Sequence, residues 1–279
     1  MDLTDLSIVH RILKEYKITA HKKLGQNFLV NRSVLNKIIE AAKLSENDNV
    51  LEIGPGLGTL TRELAQNANS VVAIEKDINM VKAARGLNSD LNNLKIIPGN
   101  ALALEEDFLR ETLNSDSYKL VANIPYYLTS IIIRFFLELK FKPDLLVLMV
   151  QKEVAERIVA KRPNANILSV AVQFYGTPEI ITEVSKQDFW PIPKVDSAVI
   201  KIVPFKENKY DVEPTKFFRL VKAGFGERRK QLHNSLSGGL QLPNETIKEV
   251  LAASGINSAD RAQNLTIDQW VELYQHLQL

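Results

Sequence analysis

The chain has 279 residues, 45% hydrophobic and 24% charged, with a net charge of +2, which suits a soluble globular protein of one large domain or a large and a small one. It contains no cysteine, which excludes disulfides, thiolate metal sites and thiol nucleophiles, and His10, His21, His233 and His276 lack metal-ligand spacing, so no metal is expected. No apolar run approaches the roughly 20 residues that cross a bilayer, and the acidic start Met1-Asp2-Leu3-Thr4-Asp5 is unlike a signal peptide, so a cytoplasmic protein without membrane contact is expected.

The pattern predicts a short helix over 7–16, an irregular basic segment over 19–31, and a helix over 33–42 with Val34 and Ile38 on one face. The period then changes. Asn49-Val50-Leu51-Glu52-Ile53 reads as a strand running into Gly54-Pro55-Gly56-Leu57-Gly58 and a helix over 59–68. Strands follow at 70–74, 94–97, 118–122 and 144–150, alternating with helices at 77–87, 105–113 and 129–139. Such alternation implies a parallel sheet covered by helices on both faces. Two β-type runs at 180–184 and 195–203 have no helix between them, so a hairpin and an antiparallel last strand are expected. Beyond the polar break at 204–209 the chain reads as helices over 215–225, 230–236, 244–253 and 267–277. The expected fold is α/β with a mostly parallel sheet over residues 1–204, carrying a basic helical extension at its start, and a small all-helical domain over 205–279.

A net charge this small does not by itself imply nucleic acid, so distribution decides. Arg11, Lys14, Lys17, Lys22, Lys23 and Arg32 are opposed only by Glu15, and Arg219, Lys222, Arg228, Arg229 and Lys230 only by Glu227. Each cluster is a candidate phosphate-tracking surface or an ordinary solvated face.

The glycines at 54, 56 and 58 permit a tight turn and close approach of a ligand to the backbone, while the helix after them offers free amides. Such a turn serves NAD, FAD or S-adenosylmethionine. Glu75 ends the next strand about 20 residues on, where an acid meets ribose hydroxyls. The spacing G-x-G-x-G, with Glu52 two residues ahead, favours S-adenosylmethionine and discounts a dehydrogenase. Asn100, after the third strand, is placed to meet an adenine edge or simply to form a turn. Asn123-Ile124-Pro125-Tyr126-Tyr127 sits at the carboxyl end of another strand, where reacting groups collect in open parallel sheets. An amide beside a proline-stiffened turn and an aromatic ring suits a flat base bearing an exocyclic amine.

With these pieces in order the chain resembles the small-subunit ribosomal RNA adenine dimethyltransferases. The resemblance is carried by LGQNFL at 24–29, LEIGPGLGTLT at 51–61, Glu75, NIPYYLTS at 123–130, QKEVAERI at 151–158, FWPIPKVDSAV at 189–199 and FGERRKQLHNSL at 225–236. It implies a Rossmann-like methyltransferase that uses S-adenosylmethionine to dimethylate the 6-amino groups of two adjacent adenosines in the 3′-terminal hairpin of small-subunit rRNA. The implied partner is that rRNA within the pre-assembled small ribosomal subunit, with the enzyme a monomer. The candidate cofactor residues are Gln26, Asn27, Leu29, Gly54, Gly56, Glu75, Lys76, Asn100, Ala101 and Asn123. Asn123, Ile124, Pro125 and Tyr126 match the catalytic loop, and Phe189 an aromatic that covers the target base. Tyr127 is expected to be structural support. Lys22, Lys23, Arg228, Arg229 and Lys230 are the candidate RNA contacts.

The family usually has Asp where this chain has Asn100 and a smaller residue at Trp190, which bears on cofactor affinity and on the base pocket. The related large-subunit adenine methyltransferases of the macrolide-resistance type share the catalytic loop, and FGERRKQLHNSL is the reason to prefer the small-subunit enzymes. A non-enzymatic RNA-binding assembly factor is the alternative of a different class.

Overall fold

The computed structural model describes residues 1–19, 25–227 and 229–277. Lys22, Lys23 and Arg228 therefore lie outside the described residues. Two compact units are present, one comprising residues 1–155 and 178–204, the other residues 156–177 and 205–279. Residues 156–177, which the sequence pattern assigns to the first domain, thus group with the helical one. The cause is aromatic packing: Phe174 stacks on Phe217 at 4.7 Å and on Tyr210 at 5.4 Å, and meets Phe218 edge-on.

In the first unit α1 (Leu6–Glu15) and β1 (Phe28–Leu29) precede α2 (Arg32–Ala42). The repeating units are β2 (Asn49–Ile53) with α3 (Thr59–Asn67), β3 (Ser70–Glu75) with α4 (Ile78–Leu87), β4 (Leu94–Pro98) with α5 (Glu106–Leu113), and β5 (Lys119–Asn123) with α6 (Thr129–Glu138). After β6 (Leu145–Gln151) the chain passes through α7 (Lys152–Val159) and α8 (Ile167–Tyr175), of which α8 belongs to the second unit, and returns as β7 (Gly176–Val184), β8 (Phe189–Trp190) and β9 (Ser197–Pro204). Seven strands form one sheet in the order β4-β3-β2-β5-β6-β9-β7. The first five are parallel, and β9 runs antiparallel to β6 with Met149 opposite Val199. Burial explains the composition of the inner strands. In β6, Leu145 to Val150 are all buried, as a strand covered on both faces requires.

As expected for two runs without a helix between them, β7 and β9 are neighbours in the sheet, but the connection between them is long. It leaves the sheet through β8, which pairs with β1 so that Phe28 faces Trp190 and Leu29 faces Phe189. This two-stranded ribbon ties the basic segment near the amino terminus to the loop that carries Phe189.

The second unit holds α8, α9 (Pro214–Phe225), α10 (Leu232–Leu240), α11 (Asn244–Ala253) and α12 (Ile267–Leu277). Trp270 is fully buried beside Gly224, where any side chain would collide with the indole. No helix among the described residues is long and apolar enough to cross a membrane.

Candidate active site

The chain leaves β2 for β3 and β4 on one side and returns to β5 and β6 on the other, so the strand order reverses between β2 and β5. A crevice outside the carboxyl ends of the strands at such a reversal is where open α/β sheets bind ligands. A cleft lies there, walled by residues 25–29, Glu52 to Gly56, Ile74 to Asp77, Gly99 to Leu102, and Asn123, Pro125, Tyr127 and Leu128. Nine expected residues meet in it: Gln26, Asn27, Leu29, Gly54, Gly56, Glu75, Lys76, Asn100 and Ala101, joined by Asn123 and Pro125 from the loop after β5.

The glycine turn is shaped by backbone conformation and by neighbours. Gly56 has φ +58°, and a Cβ there would stand 3.4 Å from Phe28 Cε1, so the Phe28 ring is the buttress behind the turn. Gly25 has φ +67°, and its bare α-carbon lets the segment before β1 close against Pro125. The turn is tied to the neighbouring strand, because Gly54 N–H donates to the Ile74 carbonyl at 2.9 Å and Gly56 N–H to Glu75 Oε2 at 3.3 Å. Glu75 Oε1 also accepts from Asp77 N–H at 2.8 Å. Burial raises the Glu75 pKa, and these backbone donors oppose the rise.

Asn123 is half-buried, and its amide nitrogen donates to the Asn27 carbonyl at 3.2 Å. That bond uses the donor end of the side chain and leaves Oδ1 as an acceptor. Asn27 is itself held, since its amide donates to the Gly25 carbonyl at 3.1 Å. Ile124 is buried, with its N–H donating to the Met149 carbonyl at 3.3 Å. Tyr126 does not line the cleft; its hydroxyl is 2.7 Å from Ser197 Oγ at the start of β9, which fixes the ring beside the loop. Burial raises the Tyr126 pKa, so the phenol stays protonated.

Phe189 departs from its expected place. It is 2% exposed and packs in the core with Leu29, Val34, Leu35 and Val199, and it does not line the cleft. It pairs with Leu29 across the β1–β8 ribbon and is a core residue in this structure. Trp190 likewise forms no part of the cleft wall. It stacks on Phe28 at 6.4 Å and meets His10 edge-on at 4.6 Å, supporting the ring behind the glycine turn.

Tyr127 is the reverse case. Expected as structural support, it is 55% exposed and lines the cleft. Asn100 caps the turn over Ala101–Ala103, its Oδ1 accepting from Leu102 N–H at 3.2 Å. Arg32, counted among the basic residues near the amino terminus, is engaged internally with Asp2 at 2.7 Å and with Glu63. In the second unit Arg229 and Lys230 are exposed, and Lys230 pairs with Glu227 at 2.7 Å.

Cleft-lining residues that the sequence does not assign to the site include Phe28, Leu128, Tyr127, read there as support, and Glu52, used there only to choose the cofactor. Glu52 is 1% exposed, and its Oε2 has no hydrogen-bond partner. Burial is the main cause that lifts its pKa to about 8, Glu75 adds repulsion, and the nearby Thr61 hydroxyl offsets only part of the rise. Among the described residues no three acidic or histidine side chains gather in metal-ligating geometry.

A model of the ribosomal RNA adenine dimethylase family matches residues 17–279. A ribosomal RNA small subunit methyltransferase A from Dehalococcoides mccartyi is 43% identical over 264 residues, covering 94% of this chain and 90% of that one. The crystal structure of a dimethyladenosine transferase from Plasmodium falciparum superposes with a TM-score of 0.75 at 28% identity, covering 88% of this chain and 95% of that chain. That of the 23S rRNA methyltransferase ErmE superposes with a TM-score of 0.71 at 26% identity, covering 90% of this chain and all of that one. Matched over nearly its whole length, with its glycine turn and asparagine loop meeting in one cleft, the chain belongs to the ribosomal RNA adenine dimethylase family.

Proposed function

We propose that the cleft holds S-adenosylmethionine and that the chain dimethylates the 6-amino groups of two adjacent adenosines in the 3′-terminal hairpin of small-subunit rRNA, within the pre-assembled subunit. The cofactor fits the donor set: Glu75 offers a carboxyl to ribose hydroxyls, the cleft floor carries the unpartnered Glu52 oxygen, and the glycine turn leaves its backbone open. Gln26, Asn27, Leu29, Gly54, Gly56, Lys76, Asn100 and Ala101 complete its surroundings. When bound, it supplies an electrophilic methyl group on a sulfonium.

The observation that carries the reading is the Asn123 to Asn27 bond. An aromatic amine is a poor nucleophile because its lone pair is delocalised into the ring. With its nitrogen committed to Asn27, Asn123 presents Oδ1 to an N–H of that amine, and the Ile124 carbonyl accepts the other. Accepting hydrogen bonds from both N–H groups favours a tetrahedral nitrogen and stabilises the positive charge that develops on it. The methylated nitrogen is acidic and loses its proton to water, so no base of high pKa is needed. The monomethylated amine keeps one N–H for the same acceptors in the second transfer. Pro125 stiffens the loop, and Tyr126, anchored on Ser197, offers its ring for stacking worth roughly 1–3 kcal/mol per base. Holding amine and methyl together supplies much of the remaining acceleration through proximity. A base must leave its stack to enter, which suits a hairpin loop better than a long duplex. Arg229 and Lys230, with Lys22, Lys23 and Arg228, contribute to the RNA-docking charge.

The test incubates the purified protein with methyl-labelled cofactor and, separately, unmethylated small subunits and large-subunit rRNA. The expected result is label in two adjacent adenosines near the 3′ end of small-subunit rRNA, removed by Asn123→Ala. Label confined to large-subunit rRNA would move the chain to the ErmE type of activity, whose fold it shares. Subunit binding without any label would make it an assembly factor.

A further inference from the structure

The second unit contains a cavity to which methyl transfer assigns no role. Its wall includes Arg157 of α7, Asn164 in the loop before α8, Phe225 at the end of α9, Glu227 and Lys230 just beyond it, and Gln263 in the turn before α12. All of these belong to that unit. The cavity measures about 230 Å³, against the roughly 10–15 Å³ that one water requires, so it has room for a guest larger than solvent. Phe225 is half-buried and packs at 5.8 Å against the fully buried Trp270, which holds the ring in place. Gln263 is half-buried and Asn164 exposed, and neither side-chain amide has a hydrogen-bond partner among the described residues. Asn166 in the same wall is the contrast, because its amide is spent on the Arg157 carbonyl at 2.8 Å and on capping α8. The Arg157 guanidinium is exposed and has no ion-pair partner among the described residues, while Lys230 pairs with the half-exposed Glu227.

Resting on the RNA reading above, we infer that this cavity receives one unstacked nucleotide of the small-subunit rRNA, other than the two target adenosines. Its base lies on Phe225, the amides of Asn164 and Gln263 hydrogen-bond its edge, and Arg157 and Lys230 meet the phosphates on either side. Each part of the wall matches a part of the nucleotide. A carboxamide both donates and accepts, as a base edge does, so two free amides suit a base better than an acidic peptide, which would leave their oxygens unanswered. Bases splayed out of a loop or bulge are the ones that proteins read in RNA, by stacking on an aromatic ring and bonding to the exposed edge. Two cations against one carboxylate leave the wall positive, and an exposed pair such as Lys230 with Glu227 costs little to part, so a phosphate can take the lysine. Phosphate contacts position RNA and base contacts specify it, so the cavity adds selectivity to the diffuse charge of FGERRKQLHNSL.

The chain has no cysteine, so Asn164→Cys gives the full protein a single attachment point for a benzophenone at the cavity rim. Illumination of its complex with unmethylated small subunits, followed by primer extension, should map adducts to one unpaired nucleotide outside the target pair. Binding is measured in parallel by filter retention across a salt series. Asn164→Ala combined with Gln263→Ala should weaken subunit binding about threefold to tenfold, the worth of one or two hydrogen bonds, at an unchanged salt slope, because neither amide carries charge. Arg157→Gln should instead lower the slope by roughly 0.7–0.9. Thermal unfolding separates misfolding from a lost contact. The amide variant gives up no hydrogen bond among the described residues and should melt with the parent protein.

Adducts with a target adenosine, with a ribosomal protein alone, scattered over many nucleotides, or absent from the RNA would overturn the inference. So would a loss of affinity in the amide variant that comes with a shallower slope, which would make the cavity a plain anion site. A parent protein that labels small subunits while the amide variant binds them unchanged sinks the role of this cavity alone. A parent protein that binds no small subunit overturns the RNA reading and, with it, this one.

Discussion

In the cleft of the first unit the chemistry-bearing side chains are half-buried or buried, and several are held in fixed roles. Asn123 is tied to Asn27, Glu75 to Gly56 and Asp77, and Tyr126 to Ser197. In the second unit Arg229 and Lys230 stand in solvent, and Lys230 is paired with Glu227, both half-exposed. Fixed geometry in a low-dielectric site concentrates energy in single atoms, whereas exposed charges share it diffusely and lose it to salt. A substitution in the first region should act steeply on one step, and one in the second should act gently on all of RNA binding.

Phe189→Ala breaks that comparison most severely if the residue belongs to the core. Removing a fully buried phenylalanine costs about 3–5 kcal/mol, and Phe189 holds Leu29 and Val199 in place. The expected outcome is a large fall in the unfolding midpoint, measured by denaturant titration, with methyl transfer abolished alongside it. Unchanged stability with selective loss of activity would instead return Phe189 to the role of a base lid.

Asn123→Ala sharpens the comparison from the other side. Deleting a preorganised hydrogen-bonding group costs about 10²–10³ in kcat, or about 3–4 kcal/mol. Stability should change little, because Asn123 is only half-buried and its partner is a backbone carbonyl. Single-turnover methylation of small subunits measures the first effect and thermal unfolding the second. Cofactor binding should survive in weakened form, since Glu75 and the glycine turn remain. A loss of rate below about tenfold would show that the Oδ1 acceptor is not what activates the amine.

The cleft was more legible in the sequence than the unit it serves, and the reason is range. The glycine turn, Glu75 and the Asn123 loop are each short patterns at strand ends, so local spacing places them correctly. The ribbon of Phe28–Leu29 with Phe189–Trp190 joins segments far apart in the chain through two residues on each side, too few to show a period. Without it, Phe189 reads as an aromatic available to a ligand when it is in fact part of the packing. Ile167–Tyr175 escaped for a related reason, since ILSVAVQFY is apolar nearly throughout and its helical face appears only against Phe217 and Phe218. The rise in the Glu52 pKa comes from burial and from repulsion by Glu75, neither of which spacing can show. Tyr127 differs again: Tyr126 is anchored through its hydroxyl to Ser197 beside the loop, while Tyr127 lines the cleft, and two adjacent tyrosines cannot be told apart by spacing.

The gentlest effect belongs to the second unit. Replacing Arg229 and Lys230 together by Ala removes two exposed cations from the FGERRKQLHNSL segment. The Lys230 pair with Glu227 lies between side chains that are 54% and 53% exposed, and pairs of that kind are worth about 0–1 kcal/mol, so its removal should not disturb the fold. It also yields readily to a phosphate, which offers the same lysine a stronger acceptor. Every phosphate that is no longer neutralised by a side chain lowers the slope of log binding constant against log salt by roughly 0.7–0.9. The double variant should therefore bind small subunits severalfold more weakly near physiological salt, with a visibly shallower salt dependence and an unchanged rate once RNA is saturating. Filter binding across a salt series reads the slope directly. A slope equal to that of the parent protein would mean that these two cations face solvent in the complex, and the docking charge would then have to come from Lys22, Lys23 and Arg228.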